Sequence, residues 1–176
     1  MPVSADLLLY IMPFAKHRVP LFVDPLNHAM DFFSITTPQD QAMFLAQLAH
    51  ESGQFRYVEE LASGDAYEGR ADLGNVFPGD GRRFKGRGLI QVTGRTNYSV
   101  CSQALYGDQR LIDDPTILCS SGPACLSAAW FWDSRELSKF SMDLLACTRR
   151  INGGYNGLDE RRKYWGLAKK ILGVDG

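Results

Sequence analysis

The spacing of apolar residues along the chain predicts a mainly helical protein. Apolar side chains recur at intervals of three and four positions, which is the period that places them on one face of a helix. Windows with this period cover residues 4–14, 24–33, 94–106, 114–132, 136–147 and 159–172.

The best-marked helix lies in the segment "TTPQDQAMFLAQLAHES". Thr37 suits an N-cap, Pro38 occupies the favoured first position, and Asp40 falls where the acid of a capping box would bond back to the cap. An apolar stripe then runs through residues 42–49. Gly53 follows as a helix stop signal.

The middle of the chain has a different amino-acid composition. Residues 62–88 are rich in glycine and charge, which predicts loops, and long ordered loops in a compact domain often carry function. The segment "LIQVTG" at 89–94 fits either a short strand or a helical turn. The segment "FRYVEEL" at 55–61 alternates as a strand does. We therefore expect a mainly α fold with a short β-hairpin and glycine-rich loops lining a cleft.

Length and composition favour one domain over residues 1–176, because 45% hydrophobic content is enough for a sizeable core. The 19 Lys and Arg nearly balance the 20 Asp and Glu, so no net field attracts nucleic acid. No apolar run approaches the roughly 18 residues that span a bilayer. The N-terminal apolar stretch is broken by Pro13 and lacks a basic start and a cleavage site, so we expect no signal peptide and synthesis in the cytoplasm.

Two further features concern charge and cysteine. Residues 149–170 hold seven Lys or Arg against two acids, a pattern typical of a solvated helix face or of a surface that attracts polyanions. The four cysteines lack the C-x-x-C spacing of a zinc site. We expect free thiols, although a bridge between Cys119 and Cys125 is sterically open.

The segment "AHESGQFRYVEEL" at 49–61 contains the strongest candidate chemistry. A zinc-binding H-E-x-x-H helix is excluded, because Gln54 stands where the second histidine would be. No metal or other cofactor is therefore expected. Glu51 lies at the end of the apolar stripe, so we expect it to be partly buried. A chain that doubles back after residue 52 would bring Glu60 opposite Glu51, as the acid and base of a glycosidase require; a scatter of surface carboxylates is the alternative.

Four segments resemble glycoside hydrolase family 19, which contains chitinases and lysozyme-like endolysins of bacteriophages. They include the patterns H-E-S, G-R-G-x-x-Q-x-T-G-x-x-N-Y and I-N-G-G-x-N-G, in the order that the family has them. The segments are residues 44–60, 66–75, 78–98 and 149–162. The resemblance implies a lysozyme-like fold and an inverting two-carboxylate mechanism.

The resemblance also implies site residues. Glu51 matches the general acid and Glu60 the general base, with Glu59 and Glu68 as competitors for the base. Thr93 matches the hydroxyl that holds the attacking water. The positions implied to contact substrate are His50, Glu68, Gln91, Asn97, Tyr98, Asn152 and Arg161. The residues alone leave simpler roles open: Gln91 and Thr93 could complete a buried turn, Asn152 could cap the last helix, and Arg87 suits an ion pair.

The expected substrate is peptidoglycan, cut between N-acetylmuramic acid and N-acetylglucosamine, with chitin or chitooligosaccharides as the alternative. The short chain with four cysteines and no export signal differs from plant chitinases and suits an endolysin. Such a protein would act as a monomer at the bacterial cell wall in the periplasm after holin-dependent release, without inserting into the membrane. The late basic segment would then help to capture the anionic wall.

Overall fold

The computed structural model describes residues 2–175 and confirms a mainly helical, lysozyme-like fold. The helices of the described chain are α1 (Ala5–Ile11), α2 (Val19–Phe32), α3 (Pro38–Glu51), α4 (Asp80–Arg83), α5 (Arg95–Tyr106), α6 (Arg110–Asp113), α7 (Ser121–Ser134), α8 (Leu144–Asn152) and α9 (Leu158–Leu172). Short 3-10 turns occur at Pro13–Ala15, Asp65–Tyr67, Ala71–Leu73, Pro115–Cys119 and Leu137–Phe140. No helix within residues 2–175 is long and apolar enough to cross a membrane.

Helix α3 is the centre of the molecule, since every residue from Asp40 to Ala49 is buried. It packs mainly against α9, while α2 packs against α7. The Phe44 ring meets Trp132 of α7 edge-on at 5.2 Å. A smaller apolar cluster around Phe84 and Tyr98 holds the glycine-rich middle segment against α5 and α6. Burial of α3 on all sides fixes the position of the residues at its C-terminal end, where Glu51 lies.

The predicted strand at 55–61 is wrong. Gly53, Gln54 and Phe55 have φ angles of 55°, 59° and 65°, so the chain leaves α3 through a left-handed turn. The Phe55 ring is buried and stacks on Phe22 at 4.8 Å, and this burial stabilises a backbone that alternation in sequence does not indicate. In place of a hairpin there are isolated antiparallel bridges from Arg87 to Glu59 and to Val92.

Helix boundaries differ from the sequence expectations in three places. Helix α2 begins at Val19 and continues through Pro25, whereas apolar spacing indicated a start near residue 24. The window 114–132 divides into a 3-10 turn and α7, and the window 136–147 contains a 3-10 turn before α8. The thiols of the four cysteines are free, as expected, and those of Cys101, Cys125 and Cys147 are buried.

The start of α3 is only partly as predicted. The Thr37 side chain accepts from the Asp40 N–H at 3.2 Å, which confirms the N-cap. The Asp40 carboxylate does not complete a capping box. It accepts instead from the Trp132 indole at 2.9 Å and the Ser138 hydroxyl at 2.7 Å, so it connects α3 to α7.

We expect two buried aspartates to give opposite pH dependence of stability. Burial raises the pKa of Asp40, so its contribution is largest below about pH 4 and declines as the pH rises through its folded pKa. The hydrogen bond from Arg95 lowers the pKa of Asp80, so its contribution is present above about pH 4 and is lost as the pH falls through its folded pKa.

Urea unfolding from pH 3 to pH 7 measures both effects. Relative to the unmodified protein, Asp40→Asn should gain free energy of unfolding as the pH rises above about 4, because it removes a charge that burial disfavours. Asp80→Asn is the matched control: its deficit in free energy of unfolding should grow as the pH rises from 3 to about 4 and stay constant above that pH. Parallel curves for the two variants would contradict this assignment.

Candidate active site

Glu51 is the last residue of α3, and a buried arginine holds its carboxylate. Arg161 of α9 is 1% exposed, and its Nη2 donates to Glu51 Oε1 at 2.5 Å. The same guanidinium donates to Gln47 Oε1 through Nη1 and to the Asn156 carbonyl through Nε at 3.0 Å. The Glu51 side chain is 24% exposed, which agrees with the expected partial burial. One edge of the carboxylate is therefore fixed while part of it faces solvent.

His50 is also held by α9. Its Nδ1 lies 2.5 Å from Glu160 Oε2, and Glu160 accepts a second hydrogen bond from the Tyr164 hydroxyl at 3.0 Å. A Cβ atom on Gly157 would lie 2.0 Å from the imidazole, so glycine is required there for the ring to pack. These contacts give His50 a positioning role beside Glu51, in addition to the substrate contact that the resemblance implied.

Glu60 lies on the other side of the turn that follows α3. Its Oε1 accepts from the Tyr67 hydroxyl at 2.9 Å and its Oε2 accepts from the Gly86 N–H at 3.0 Å. Burial, followed by the contact with Glu60, raises the pKa of Tyr67, so the phenol remains a donor. A Cβ on Gly86 would lie 2.4 Å from Gln91 Oε1. The absence of a side chain on Gly86 therefore leaves room for the Gln91 amide beside the backbone that donates to Glu60.

The two competing carboxylates have structural partners. Glu59 forms ion pairs with Arg87 at 2.9 Å and with Lys85 at 3.5 Å, which confirms the ion-pair role expected for Arg87. Glu68 accepts from the N–H groups of Gly79 and Gly81 at 2.7 and 2.8 Å. Both of its oxygens are thus occupied by backbone at the start of α4. Glu60 also has a partner at each oxygen, and it differs from Glu59 in that those partners are neutral.

Three predicted residues line one cavity of about 420 Å³ between α5, α7 and the end of α8. They are Gln91, Thr93 and Asn97, and the Asn97 amide donates to the Thr93 carbonyl at 2.7 Å. Trp130 and Ile151 contribute apolar surface to the same cavity. The arrangement combines amide and hydroxyl groups with an indole ring, which suits a neutral sugar.

Two other predicted residues have different surroundings. Tyr98 is fully buried, and its hydroxyl donates to the Lys85 carbonyl at 2.6 Å, so its prediction as a substrate contact is wrong. Asn152 is exposed at the end of α8. Its side chain accepts from the Gly154 N–H at 2.8 Å and donates to the Asn156 carbonyl at 3.3 Å, so it orders the turn that leads into α9.

The basic segment at 149–170 is not one continuous surface. Arg161 faces inward to Glu51, Arg162 pairs with Asp159 at 2.8 Å, and Lys169 lies over the Trp165 ring at 4.2 Å. The segment was expected to attract polyanions as one surface, and this expectation fails for Arg161, which is buried, and for Arg162, which is paired.

Sequence reasoning missed two residues that position the site, Gln47 and Glu160. Gln47 is fully buried and lies one helical turn before Glu51, within the apolar stripe of α3. A polar residue inside such a stripe indicates a buried hydrogen bond, and this signal could have identified it. Glu160 lies within a run of charged residues, 159–163, that is typical of an exposed helix surface. No signal in the sequence distinguishes it from its neighbours.

Comparison with known proteins yields consistent matches. The family model described as chitinase class I, of glycoside hydrolase family 19, matches residues 32–171. A glycosyl hydrolase family 19 domain-containing protein of Haemophilus influenzae is 34% identical, and the match covers 85% of this chain and 88% of that protein. An endochitinase of Arabidopsis thaliana is 36% identical over 64% of this chain but only 39% of its own length.

Solved structures match over nearly the whole chain. Chitinase C of Streptomyces griseus has a TM-score of 0.76 at 22% identity, covering 98% of this chain and 77% of its own. A bacterial family 19 chitinase has a TM-score of 0.77 at 23% identity, covering 99% and 97%. At these identities the structural likeness establishes the fold.

The contacts of Glu68 predict a role in stability. Glu68→Ala removes the acceptor of two backbone N–H groups at the start of α4, so the free energy of unfolding should fall by about 1 kcal/mol. Asp31→Ala, which changes an exposed acid on α2, is the control and should stay within about 0.5 kcal/mol. Chemical denaturation measures both, and equal stability of the two variants would show that the contacts of Glu68 are unimportant.

Proposed function

Because this chain belongs to glycoside hydrolase family 19 and is a glycosidase of the chitinase type, we propose that it hydrolyses β-1,4 bonds of chitin or chitooligosaccharides. The observation that carries the proposal is that two carboxylates, Glu51 and Glu60, flank the turn after α3 and are each held in a fixed orientation. One carboxylate contacts a buried guanidinium, whereas the other accepts only from neutral donors, and both are partly exposed. The chitinase names belong to relatives, and the plant relatives are longer than this chain.

In the proposed mechanism Glu51 is the general acid and Glu60 the general base. Glu51 donates its proton to the glycosidic oxygen as the bond to the leaving sugar breaks. Glu60 removes a proton from a water molecule that attacks the anomeric carbon from the opposite face, so the anomer is inverted. Such chemistry needs roughly 6.5–9.5 Å between the carboxyl groups to accommodate the water.

Neighbouring groups would assist both carboxylates. Arg161 keeps Glu51 in one rotamer, because it is fixed by Gln47 and the Asn156 carbonyl. Tyr67 and the Gly86 N–H orient Glu60. In the adjoining cavity Thr93 would hold the attacking water, and Gln91 and Asn97 would bind sugar hydroxyl and N-acetyl groups, since amides both donate and accept.

Glu51→Gln tests the acid. The glutamine oxygen can still accept from Arg161, so the fold should be retained, but the amide cannot supply the proton. We expect kcat on chitooligosaccharides to fall by about 10²–10⁴-fold, measured from reducing ends. Asp159→Asn makes the same chemical change at an exposed position and should leave kcat unchanged. Turnover by Glu51→Gln near that of the unmodified protein would remove this residue from the role.

The base is tested by Glu60→Gln beside Glu59→Gln. Glu60→Gln should lower kcat by about 10²-fold or more, because the attacking water loses its proton acceptor. Glu59→Gln weakens ion pairs with Arg87 and Lys85, so it should mainly lower the thermal midpoint. Equal kcat for the two variants would refute the choice of Glu60.

Peptidoglycan is the second candidate substrate, because its strands also contain β-1,4-linked N-acetylglucosamine. The observation that favours it concerns two cations, Arg56 and Lys163, which line a cavity together with Gly53, two residues after Glu51. Neither cation forms a salt bridge within residues 2–175. As an endolysin the protein would depend on a holin for release. Mass spectrometry of products from chitooligosaccharides and from purified peptidoglycan identifies the bond cut in each, and proton NMR of the earliest products identifies the anomer formed.

A further inference from the structure

A second, larger cavity borders the turn that follows Glu51, and none of the residues assigned to the chemistry line it. It has a volume of about 720 Å³ and is bounded by the connection between α1 and α2, the left-handed turn after α3, and the first half of α9. We call it the rear pocket. Residues of the rear pocket used below are Phe14, Arg18, Gln54, Arg56, Tyr57 and Lys163.

The rear pocket carries an excess of unpaired positive charge. Arg18, Arg56 and Lys163 belong to three different segments, and none of them forms a salt bridge within the described chain. The one carboxylate of the lining, Glu160, already accepts from His50 and Tyr164. Cations brought together without carboxylate partners repel each other, and an anionic ligand would offset this repulsion.

The floor of the rear pocket is fixed and polar. Gln54 is held at a φ of 59° and is 9% exposed. Its amide donates to the Tyr164 hydroxyl at 2.8 Å, and its carbonyl accepts from the Phe14 N–H at 2.9 Å. Gln54 thereby connects the N-terminal segment to α9. Left-handed backbone at a residue other than glycine costs free energy, and here it places a rigid connection under the cavity.

The rim of the rear pocket offers aromatic surface. Phe14 is 86% exposed, and the Arg56 guanidinium lies 5.2 Å from the centre of the Tyr57 ring. Exposed aromatic faces beside cations suit a ligand that combines apolar groups with negative charge. A neutral sugar polymer supplies no such charge.

Short stretches of the polypeptide connect residues of the rear pocket to Glu51, the proposed general acid. Gly53 and Gln54 follow Glu51 by two and three residues, and Glu160 directly precedes Arg161, which binds Glu51. These connections place the rear pocket next to the turn at Gly53, which a substituent of a glycan bound at Glu51 would have to pass to enter it.

We propose that the rear pocket binds the carboxylates of peptide substituents on a glycan strand, and so selects peptide-bearing strands such as peptidoglycan over unsubstituted chitin. This inference rests on the proposed glycosidase function and deepens its second candidate. Arg18, Arg56 and Lys163 bind the carboxylates, while Phe14 and Tyr57 contact the apolar parts of the peptide.

The first experiment measures binding without turnover. Glu51→Gln protein is titrated with a soluble disaccharide tetrapeptide and with the same compound after amidation of its carboxyl groups, followed by NMR. The anionic compound should bind about tenfold more tightly, with shifts at residues of the rear pocket. Adding Arg56→Gln and Lys163→Gln should remove most of the difference, leaving the part that Arg18 contributes. Adding Arg110→Gln and Lys139→Gln, which make the same charge change at exposed positions outside the rear pocket and the late basic segment, should preserve it.

The second experiment measures selectivity in the otherwise unmodified protein. The ratio of kcat/KM on peptide-bearing strands to kcat/KM on chitooligosaccharide should fall about tenfold in Arg56→Gln/Lys163→Gln and stay constant in Arg110→Gln/Lys139→Gln.

The outcomes distinguish failure of the rear-pocket inference from failure of the proposed glycosidase function. Equal binding of anionic and amidated compounds, or a selectivity ratio that both double variants leave unchanged, would overturn the inference while leaving the glycosidase function intact. Protein that cleaves neither substrate would overturn the proposed function, and the binding experiment would still decide the role of the rear pocket.

Discussion

The rest of the site depends on one buried guanidinium. Arg161 is enclosed between α3 and α9 and satisfies three acceptors, Gln47, Glu51 and the Asn156 carbonyl. A buried charge is tolerated only when its donors are paired, so these contacts are a condition of the fold as well as a feature of the site. The same side chain therefore determines how the two helices pack and where the Glu51 carboxylate lies.

Neutral hydrogen bonds, by contrast, hold the second carboxylate. Glu60 lies on irregular chain, and its orientation depends on the Tyr67 hydroxyl and on the close approach of the Gly86 backbone. Rigid helices thus support one carboxylate, and loops with glycine at the points of contact support the other.

Much of this organisation could be predicted from sequence, and the failures have physical causes. The Thr37 cap and the apolar stripe identified α3 because those signals are local. The strand expected at residues 55–61 does not form, because burial of Phe55 against Phe22 stabilises a left-handed turn. Tyr98 illustrates the same limit for function, since no local pattern shows that its ring is buried in the core. The amides at Gln91 and Asn97 were found because the family motif, and not the surrounding periodicity, marked them.

The four cysteines have a consequence for the conditions under which the protein folds. Three thiols are buried and none of the four is joined to another, so packing, hydrogen bonds and ion pairs keep the described chain folded. Folding need not wait for oxidation, and reductant has no cross-link to break. The same architecture is therefore compatible with oxidising and with reducing surroundings.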